Sequence, residues 1–443
     1  MISVQRMKEL FTFSLPIIAG QIGQMLFGVG DIIVAGRYST EVVSAIGVAG
    51  GIFAPFILIG LGLCFAVSPL TSKALGEKRP IESLLASAYT LGLLISIILI
   101  AVLCVLITNL SLFNLLPEIE PLVADYLWIV APSLIGIIHF QISKEYLQAL
   151  DDTYFSNGLV LFFNLINIGL NIILIFGLWF IPEMGIKGAA LGSLIGRILM
   201  AVTLFLYLRR RFEFSSKPKR KEMLEIFHLG FPISISTFFE VMVFSAVTVL
   251  IGKMDVLTSA AHNIVLTMAS LTFMVPLGMS SACSVKIAMS YGKSQYQELK
   301  EFAVAGLMLS TLFMASTALS YFIIPHFLVR FATNDPALIS AAVNLLFFAA
   351  LFQIPDGLQV TLLGILRGLG ITKLPMLLTF IANWLIGLPI GFYFATQTDM
   401  KARGLWLGLT IGLTLMSIAL TILFIHDYNK KALRFHEGPH HNS

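Results

Sequence analysis

The chain has 443 residues, 57% of them apolar and 12% charged, with a formal net charge of +4. Soluble domains carry roughly 25% charged residues, so half that share excludes a water-soluble protein of this size and demands a lipid-facing surface. The basic residues fall in alternate loops between apolar runs, which excludes nucleic acid as the reason for their excess.

A helix needs about 20 mostly apolar residues to cross ~30 Å of hydrocarbon. Near the start, Arg6 and Lys8 precede an apolar run that continues past Pro16 to Asp31 without an A-x-A site. That predicts a first membrane helix and not a cleaved leader. In chain order the predicted spans cover about 11–35, 44–71, 84–107, 123–143, 157–178, 187–208, 226–252, 259–288, 302–325, 340–366, 374–397 and 404–426. Their apolar runs are continuous, without two-residue alternation, which favours helices over barrel strands. The fourth span is the most polar, with Pro132, His139 and Gln141. Cys64, Cys104 and Cys283 all lie inside spans and read as small buried hydrophobes, not a disulfide framework.

Lysine and arginine then set orientation. With both termini in the cytoplasm, inner segments hold 21 of them and outer segments six, while Arg197 lies inside the sixth span. Lys144 counts as an inner-loop residue in that scheme, and seven more lie between Arg209 and Lys221.

The two halves repeat. Residues 9–76 align on 225–292 at an offset of 216, which sets Pro16 on Pro232, Gly36 on Gly252, Gly62 on Gly278 and Ser68 on Ser284. KGAALGSLIG (187–196) matches RGLWLGLTIG (403–412) at the same offset, and LQALDDT (147–153) resembles LRGLGIT (366–372) at 219. Six spans per half bring both halves into the membrane the same way, a parallel repeat whose pseudo-twofold axis lies along the membrane normal. The expected fold class is an all-α membrane protein of twelve transmembrane helices in two pseudo-symmetric six-helix bundles. The expected division is one bundle over 1–208, a basic cytoplasmic linker over 209–224, a second bundle over 225–426 and a cytoplasmic tail over 427–443. The linker reads as a solvated loop beside anionic headgroups, and the terminal HEGPHHNS as a disordered segment more than a metal-binding tract.

Ionisable groups inside a span cost a few kcal/mol or more and are functional candidates by default. Three carboxylates qualify: Asp31 in FGVGDIIVAG, Glu240 in STFFEVMVF and Asp356 in FQIPDGLQV. Pro355 frees the carbonyl of Leu351 beside Asp356, so a kinked helix there can offer a cation site. A carboxylate caught between desolvation and a neighbouring cation can exchange a proton for Na+ or for a cationic drug, the elementary act of an antiporter. Structural hydrogen bonding or a water-lined crevice is the competing account of each. The repeat aligns Glu240 with Gln24 and Asp31 with Val247, so the halves share a scaffold and not a charge.

Asn164, Asn167 and Asn171 fall on one face of the fifth span, either as interhelical hydrogen bonds or as part of a site. Arg197 is expected to pair with a carboxylate or to snorkel, and His262 to face the surface at a helix end. Asp151 and Asp152 are expected to form a turn. The sequence contains no P-loop, H-E-x-x-H or G-x-S-x-G, so neither ATP coupling nor intramembrane hydrolysis has support.

Several stretches together resemble the multidrug and toxic compound extrusion (MATE) family, and its NorM-type branch most closely. They are LGFPISISTFFEVMVF with Glu240, the AAHN that follows, MVPLGMSSACSVKIAMSYG (274–292), LLFFAALFQIPDGLQV with Asp356, LRGLG (366–370) and GLWLGLTIG (404–412). The resemblance covers about residues 8–426. It implies alternating access between two bundles, export of cationic organic compounds against Na+ or H+, no cofactor, and a monomer in a bacterial inner membrane. It also implies that Glu240 and Asp356 form a second-lobe cation site able to take Na+. Asp31 is then the first-lobe acidic residue, with Asn167, Asn171 and the Ser193 hydroxyl as its companions. Two positions depart from the pattern: Asn171 stands where another branch has aspartate, and Phe352 where NorM-type relatives can have tyrosine.

Two other functions compete. A lipid-linked precursor flippase calls for several basic residues on a central cavity to meet diphosphate, and Arg197 is the one clear intramembrane cation. A membrane-embedded transferase calls for a second aspartate cluster besides Asp151 and Asp152.

Overall fold

The computed structural model describes residues 4–177, 181–213 and 217–436. Residues 214–216 of the expected linker and 437–443 of the expected tail lie outside them. Among the described residues all regular structure is helical, as it must be where lipid offers no partner to a backbone amide.

The first repeat comprises α1 (Val4–Ala35), α2 (Thr40–Cys64), α3 (Val67–Gly76), α4 (Glu82–Ile107), α5 (Glu120–Val130), α6 (Ser133–Ala149), α7 (Tyr154–Phe176) and α8 (Ile186–Arg211). The second comprises α9 (Arg220–Gly252), α10 (Val256–Gly292), α11 (Tyr296–Ile323), α12 (Pro325–Arg330), α13 (Pro336–Gly368), α14 (Lys373–Phe380), a π-helical segment (Ile381–Gly387), α15 (Leu388–Gln397) and α16 (Ala402–His436). Among the described residues eleven spans are long and apolar enough to cross a membrane, or twelve if the bent pair α5–α6 is one span. The 46° bend of that pair falls at Pro132, where the ring removes a backbone donor and clashes with the preceding turn. The fourth expected span is thus a broken one.

The duplication is visible element by element, and so are its failures. The first repeat breaks into α2 and α3 where α10 is continuous, and into α5 and α6 where α13 is continuous. In the second repeat the π-helical segment interrupts the counterpart of α7.

Two compact units emerge, residues 19–234 and residues 1–18 together with 235–443. They differ from the contiguous halves expected above: α1 starts in the second unit and ends in the first, and α9 does the reverse. The changes follow Pro16 and Pro232, the prolines inside these two helices. Each helix start is fastened by polar contacts. In the second unit Arg6 pairs with Glu298 of α11 (3.2 Å), and Lys286 of α10 pairs with Glu9 (3.4 Å). In the first, Ser83 and Ser87 of α4 donate to Glu222 of α9 at 2.6 and 2.7 Å.

Within the first unit α6 packs on α8, α4, α2 and α3, and α7 on α8. Within the second, α13 packs on α10, α11 and α16, and α15 on α16. Lipid supplies no hydrophobic drive between helices, so close backbone approach matters most. At α15–α16 a Cβ on Gly408 would lie 2.4 Å from the Gly391 Cα, and on α13 a Cβ on Gly364 would lie 2.2 Å from the Ser280 carbonyl oxygen. Outward faces remain apolar, as at Leu165, Leu312 and Ile422, which suits them to acyl chains.

Candidate functional site

In the first unit α1, α7 and α8 converge on Asp31, which is 4% exposed. Asn171 Nδ2 donates to Asp31 Oδ1 (2.6 Å) and Ser193 Oγ donates to Oδ2 (2.8 Å). Asn171 Nδ2 also reaches Asn167 Oδ1 at 3.4 Å. Asn167, Asn171 and Ser193 are buried, so these four expected site residues form one cluster. The approach depends on Gly192: a Cβ there would lie 2.2 Å from Asn171 Oδ1. Asn164, on the same helix face, instead donates to the Gly23 carbonyl at 2.6 Å and ties α7 to α1.

Arg197, one turn beyond Ser193, makes no ion pair within 4 Å among the described residues and does not snorkel. Its guanidinium donates to Ser133 Oγ (3.0 Å) and lies between the rings of Phe27 and Phe53, 5.8 and 5.7 Å from their centroids. From there it acts electrostatically on Asp31, as does the buried Tyr126 of α5. Tyr126 was missed in the sequence, where a single aromatic in an apolar span carries no signal of its own. Two buried atoms of the cluster, Asn167 Nδ2 and Asn171 Oδ1, have no partner. Asn167 also acts on the Asp31 carboxylate, and Asn171 Oδ1 is packed against Gly192 of α8.

In the second unit Gln359 Nε2 of α13 donates to Glu240 Oε1 of α9 at 2.5 Å. Asp356, one turn before Gln359 and 3% exposed, acts electrostatically on Glu240 and interacts with Gln359. Gln359 Oε1 is buried without a partner. Glu240, Asp356 and Gln359 thus bring oxygen atoms and up to two negative charges together, an oxygen-rich set suited to a hard monovalent cation or a proton. Gln359 was not singled out from the sequence, although its i, i+3 spacing from Asp356 places both on one helical face. Pro355 has a second consequence: its carbonyl accepts from Ser417 Oγ of α16 at 2.8 Å. Phe352 stacks edge-on against Phe244 and Trp406, at 5.8 and 5.6 Å between centroids, and so packs the region without a hydroxyl to offer a cation.

His262 departs from the surface position expected of it: it is 1% exposed. Trp406 Nε1 donates to its Nδ1 (3.2 Å), which leaves the other ring nitrogen to donate to Thr248 Oγ1 (2.9 Å). Both nitrogens are therefore committed to the neutral ring. Asp151 takes a positive φ of 60° in the turn after α6, and Asp152 accepts from Tyr207 and Arg211 of α8, consistent with a turn. Among the described residues no group of three or more His, Cys, Asp or Glu side chains gathers to hold a metal ion.

Known proteins match along almost the whole chain. The profile of the family described as MatE matches residues 16–174 and 232–393. A relative from Photobacterium profundum named multidrug resistance protein NorM is 30% identical over 436 residues, covering 94% of each chain. One from Photorhabdus laumondii named multidrug resistance protein MdtK is 30% identical over 436 residues, covering 93% of this chain and 94% of its own. A crystal structure of a eukaryotic MATE transporter superposes with a TM-score of 0.84 at 19% identity, over 97% of this chain and 98% of that one. A transporter of the MOP superfamily from Pyrococcus furiosus gives 0.85 at 17%, over 96% and 97%. At these identities the two structures bear on the fold alone.

Proposed function

The chain belongs to the MatE family, on its NorM-type branch, and from that premise we propose that it is a secondary multidrug exporter that moves cationic or apolar organic compounds against Na+ or H+ by alternating access. One observation carries the reading: three carboxylates lie inside membrane-spanning helices and, among the described residues, none has an ion-pair partner within 4 Å. Amides and a hydroxyl donate to Asp31 and Glu240 without neutralising them.

A buried charge without an ion pair is costly, wholly so at Glu240 and Asp356 and in part at Asp31, on which Arg197 acts from a distance, so a passing proton, Na+ or organic cation can settle it. Occupation by one lowers the attraction for another, which is exchange. Asp31 with Asn167, Asn171 and Ser193 serves the first unit, and Glu240 with Asp356 the second, where Na+ as a transported ion would find carboxylate and carboxamide oxygens. A bacterial inner membrane, cytoplasmic termini and a monomer complete the proposal. The orientation rests on the distribution of lysine and arginine.

Ethidium efflux from cells or vesicles under an imposed gradient tests it, measured in Na+-free and Na+-containing media at fixed pH. Loss of efflux is expected in Asp356→Asn with Glu240→Gln, and full retained activity there would sink the reading. Equal rates with and without Na+ at a fixed proton gradient would assign H+ as the driving ion.

A further inference from the structure

The first unit buries a second charged cluster, away from Asp31, between the first half of α3 and the second half of α6. Lys144 is 0% exposed and Glu145 2%, although the sequence reads as a cytoplasmic loop there. Ser68 Oγ of α3 donates to Glu145 Oε2 at 2.5 Å, and Gln141 Nε2 donates to Glu145 Oε1 at 2.8 Å. Gln24 Nε2 of α1 in turn donates to Gln141 Oε1 at 3.2 Å. Gln141, Lys144, Glu145 and Gln148 lie at i, i+3, i+4 and i+7 on α6, and Ser68, Thr71 and Ser72 at i, i+3 and i+4 on α3, so two polar stripes meet.

Five side-chain atoms of these stripes are buried without a partner: Lys144 Nζ, Thr71 Oγ1, Ser72 Oγ, and Gln148 Nε2 and Oε1. Buried polar groups are nearly always hydrogen-bonded, and so many orphans side by side call for water to complete them. The duplicated unit has nothing comparable. At an offset of 219 its equivalents of Lys144 and Glu145 are Leu363 and Gly364, and α13 is there pressed against the Ser280 backbone.

The repeat shows what the cluster corresponds to. In the second unit the amide Gln359 of α13 donates to the carboxylate Glu240 of α9. Gln24 occupies the position of Glu240 in the first unit, and Gln141 of α6 lies beside the counterpart of Gln359. The contact between the first and fourth spans persists, but its carboxylate stands on the other helix, one turn past Gln141 at Glu145. We propose that Glu145 is a proton-exchanging site of the transport cycle, linked through Gln141 to Gln24 on α1 and charge-balanced by Lys144.

The hydrogen bonds show how the link would work. With Glu145 ionised, both its oxygens accept, from Ser68 and from Gln141. A proton from water adding to Oε2 needs only the Ser68 hydroxyl to turn and accept. A proton adding to Oε1 converts that oxygen to a donor, so the Gln141 carboxamide must flip. Its Nε2 would then face Gln24 Nε2, donor against donor, and Gln24 must flip as well. The proton's return to water reverses both. Gln24 lies seven residues before Asp31, on the same face of α1, so the state of Glu145 is registered two turns from Asp31.

The other ionisable groups near α6 are already engaged. Cys64 of α2 acts on Glu145 and bonds the Gly60 carbonyl. Tyr89 of α4 bonds Ser143, and Glu82 of the same helix acts on Tyr146. Arg197 of α8 bonds Ser133, Lys73 of α3 pairs with Glu77, and His139 bonds the Ile135 carbonyl. From α7 comes the non-ionisable Asn157, whose Nδ2 bonds the Thr153 carbonyl. Lys144, within electrostatic reach, is the counter-charge.

This proposal rests on the cation-coupled reading, and the test separates the two. The purified full-length chain in weakly buffered, Na+-free detergent with a pH-indicator dye receives tetraphenylphosphonium, and protons released per ligand bound are counted. In Glu145→Gln, which keeps the side-chain shape, ligand should still bind and release should fall about twofold or more. Release equal to that of the unaltered protein would overturn the site. If the single change, which strands the Lys144 charge, prevents folding, Lys144→Met with Glu145→Gln removes both charges and should fold with the same reduced release. Unreduced release from that double variant would equally overturn it. No proton release from the unaltered protein would also overturn the site; if a parallel measurement then shows that ligand displaces no bound Na+ either, the cation-coupled reading itself fails.

Discussion

Replacing Ser193 by alanine isolates one interaction at Asp31. Ser193 is 0% exposed and its hydroxyl donates to Asp31 Oδ2 at 2.8 Å. Alanine removes a single oxygen, so the packing loss is small and the hydrogen bond dominates. The bond's strength depends on the charge of its acceptor. A hydrogen bond to an ionised group contributes about 1.5–3 kcal/mol, whereas interhelical bonds between neutral groups in membranes average about 0.6 kcal/mol. A double-mutant cycle of Ser193→Ala and Asp31→Asn measures the coupling free of the two separate truncation costs. Unfolding in detergent, repeated at several pH values, supplies the four stabilities. If Asp31 is ionised at the upper end of the range, coupling there should exceed about 1.5 kcal/mol. It should fall towards about 0.6 kcal/mol on acidification, since a protonated carboxyl loses its charge. A cycle that closes at zero throughout, or a coupling that grows as pH falls, would refute the assignment of Ser193 as a donor to an exchanging carboxylate.

His262→Phe leaves the Trp406 Nε1–H group buried without an acceptor, which should cost about 1–3 kcal/mol while leaving the pH profile of efflux unchanged. A changed profile would mean that His262 titrates in the cycle. Gly408→Ala forces α15 and α16 apart, since the new Cβ would meet the Gly391 Cα at 2.4 Å, and overpacking of this kind costs about 1–3 kcal/mol. Gly169→Ala in α7, with nothing within 4 Å of its Cβ, is the control and should be neutral or stabilising. Equal melting temperatures for the two would contradict the close approach. Asp255 caps α10, accepting from the Thr258 backbone N–H at 2.7 Å, and that bond holds its carboxyl below the usual 3.8. A depressed folded value means that the cap stabilises above the unfolded value and fails as pH drops through the lower folded one. Protection of the amides in the first turn of α10, relative to their intrinsic exchange, should therefore fall as pH drops below 3.8 and show no such step in Asp255→Asn.

Much of this molecule is legible in its sequence because lipid is a demanding solvent. Without water to satisfy the backbone, each crossing must be a helix, and each helix must be apolar over a length that composition reveals. That is why the spans, the repeat and the three intramembrane carboxylates can be read directly. The spacing of Asn167 and Asn171 also foretells a common face, and Asp31 accepts directly from Asn171. Rules that treat a span's end as the start of water fail nearer the membrane surface. Lys144 reads as a loop cation and His262 as a helix-end surface residue, yet both are buried, Lys144 on α6 where it packs on α2, α3, α4 and α8, and His262 against Trp406 and Thr248.

The sequence by itself determined the helical class and the duplication, and singled out Asp31, Glu240 and Asp356, since these follow from transfer energies that act residue by residue. Tertiary structure alone decided what those charges meet: Ser193 on Asp31, Gln359 on Glu240, and helix starts exchanged between the two units. Such contacts join residues about 120–160 positions apart along the chain. No local pattern encodes them, because whether a donor reaches an acceptor is set by how whole helices pack, and that depends on small residues such as Gly192 and Gly364 that let two backbones come close.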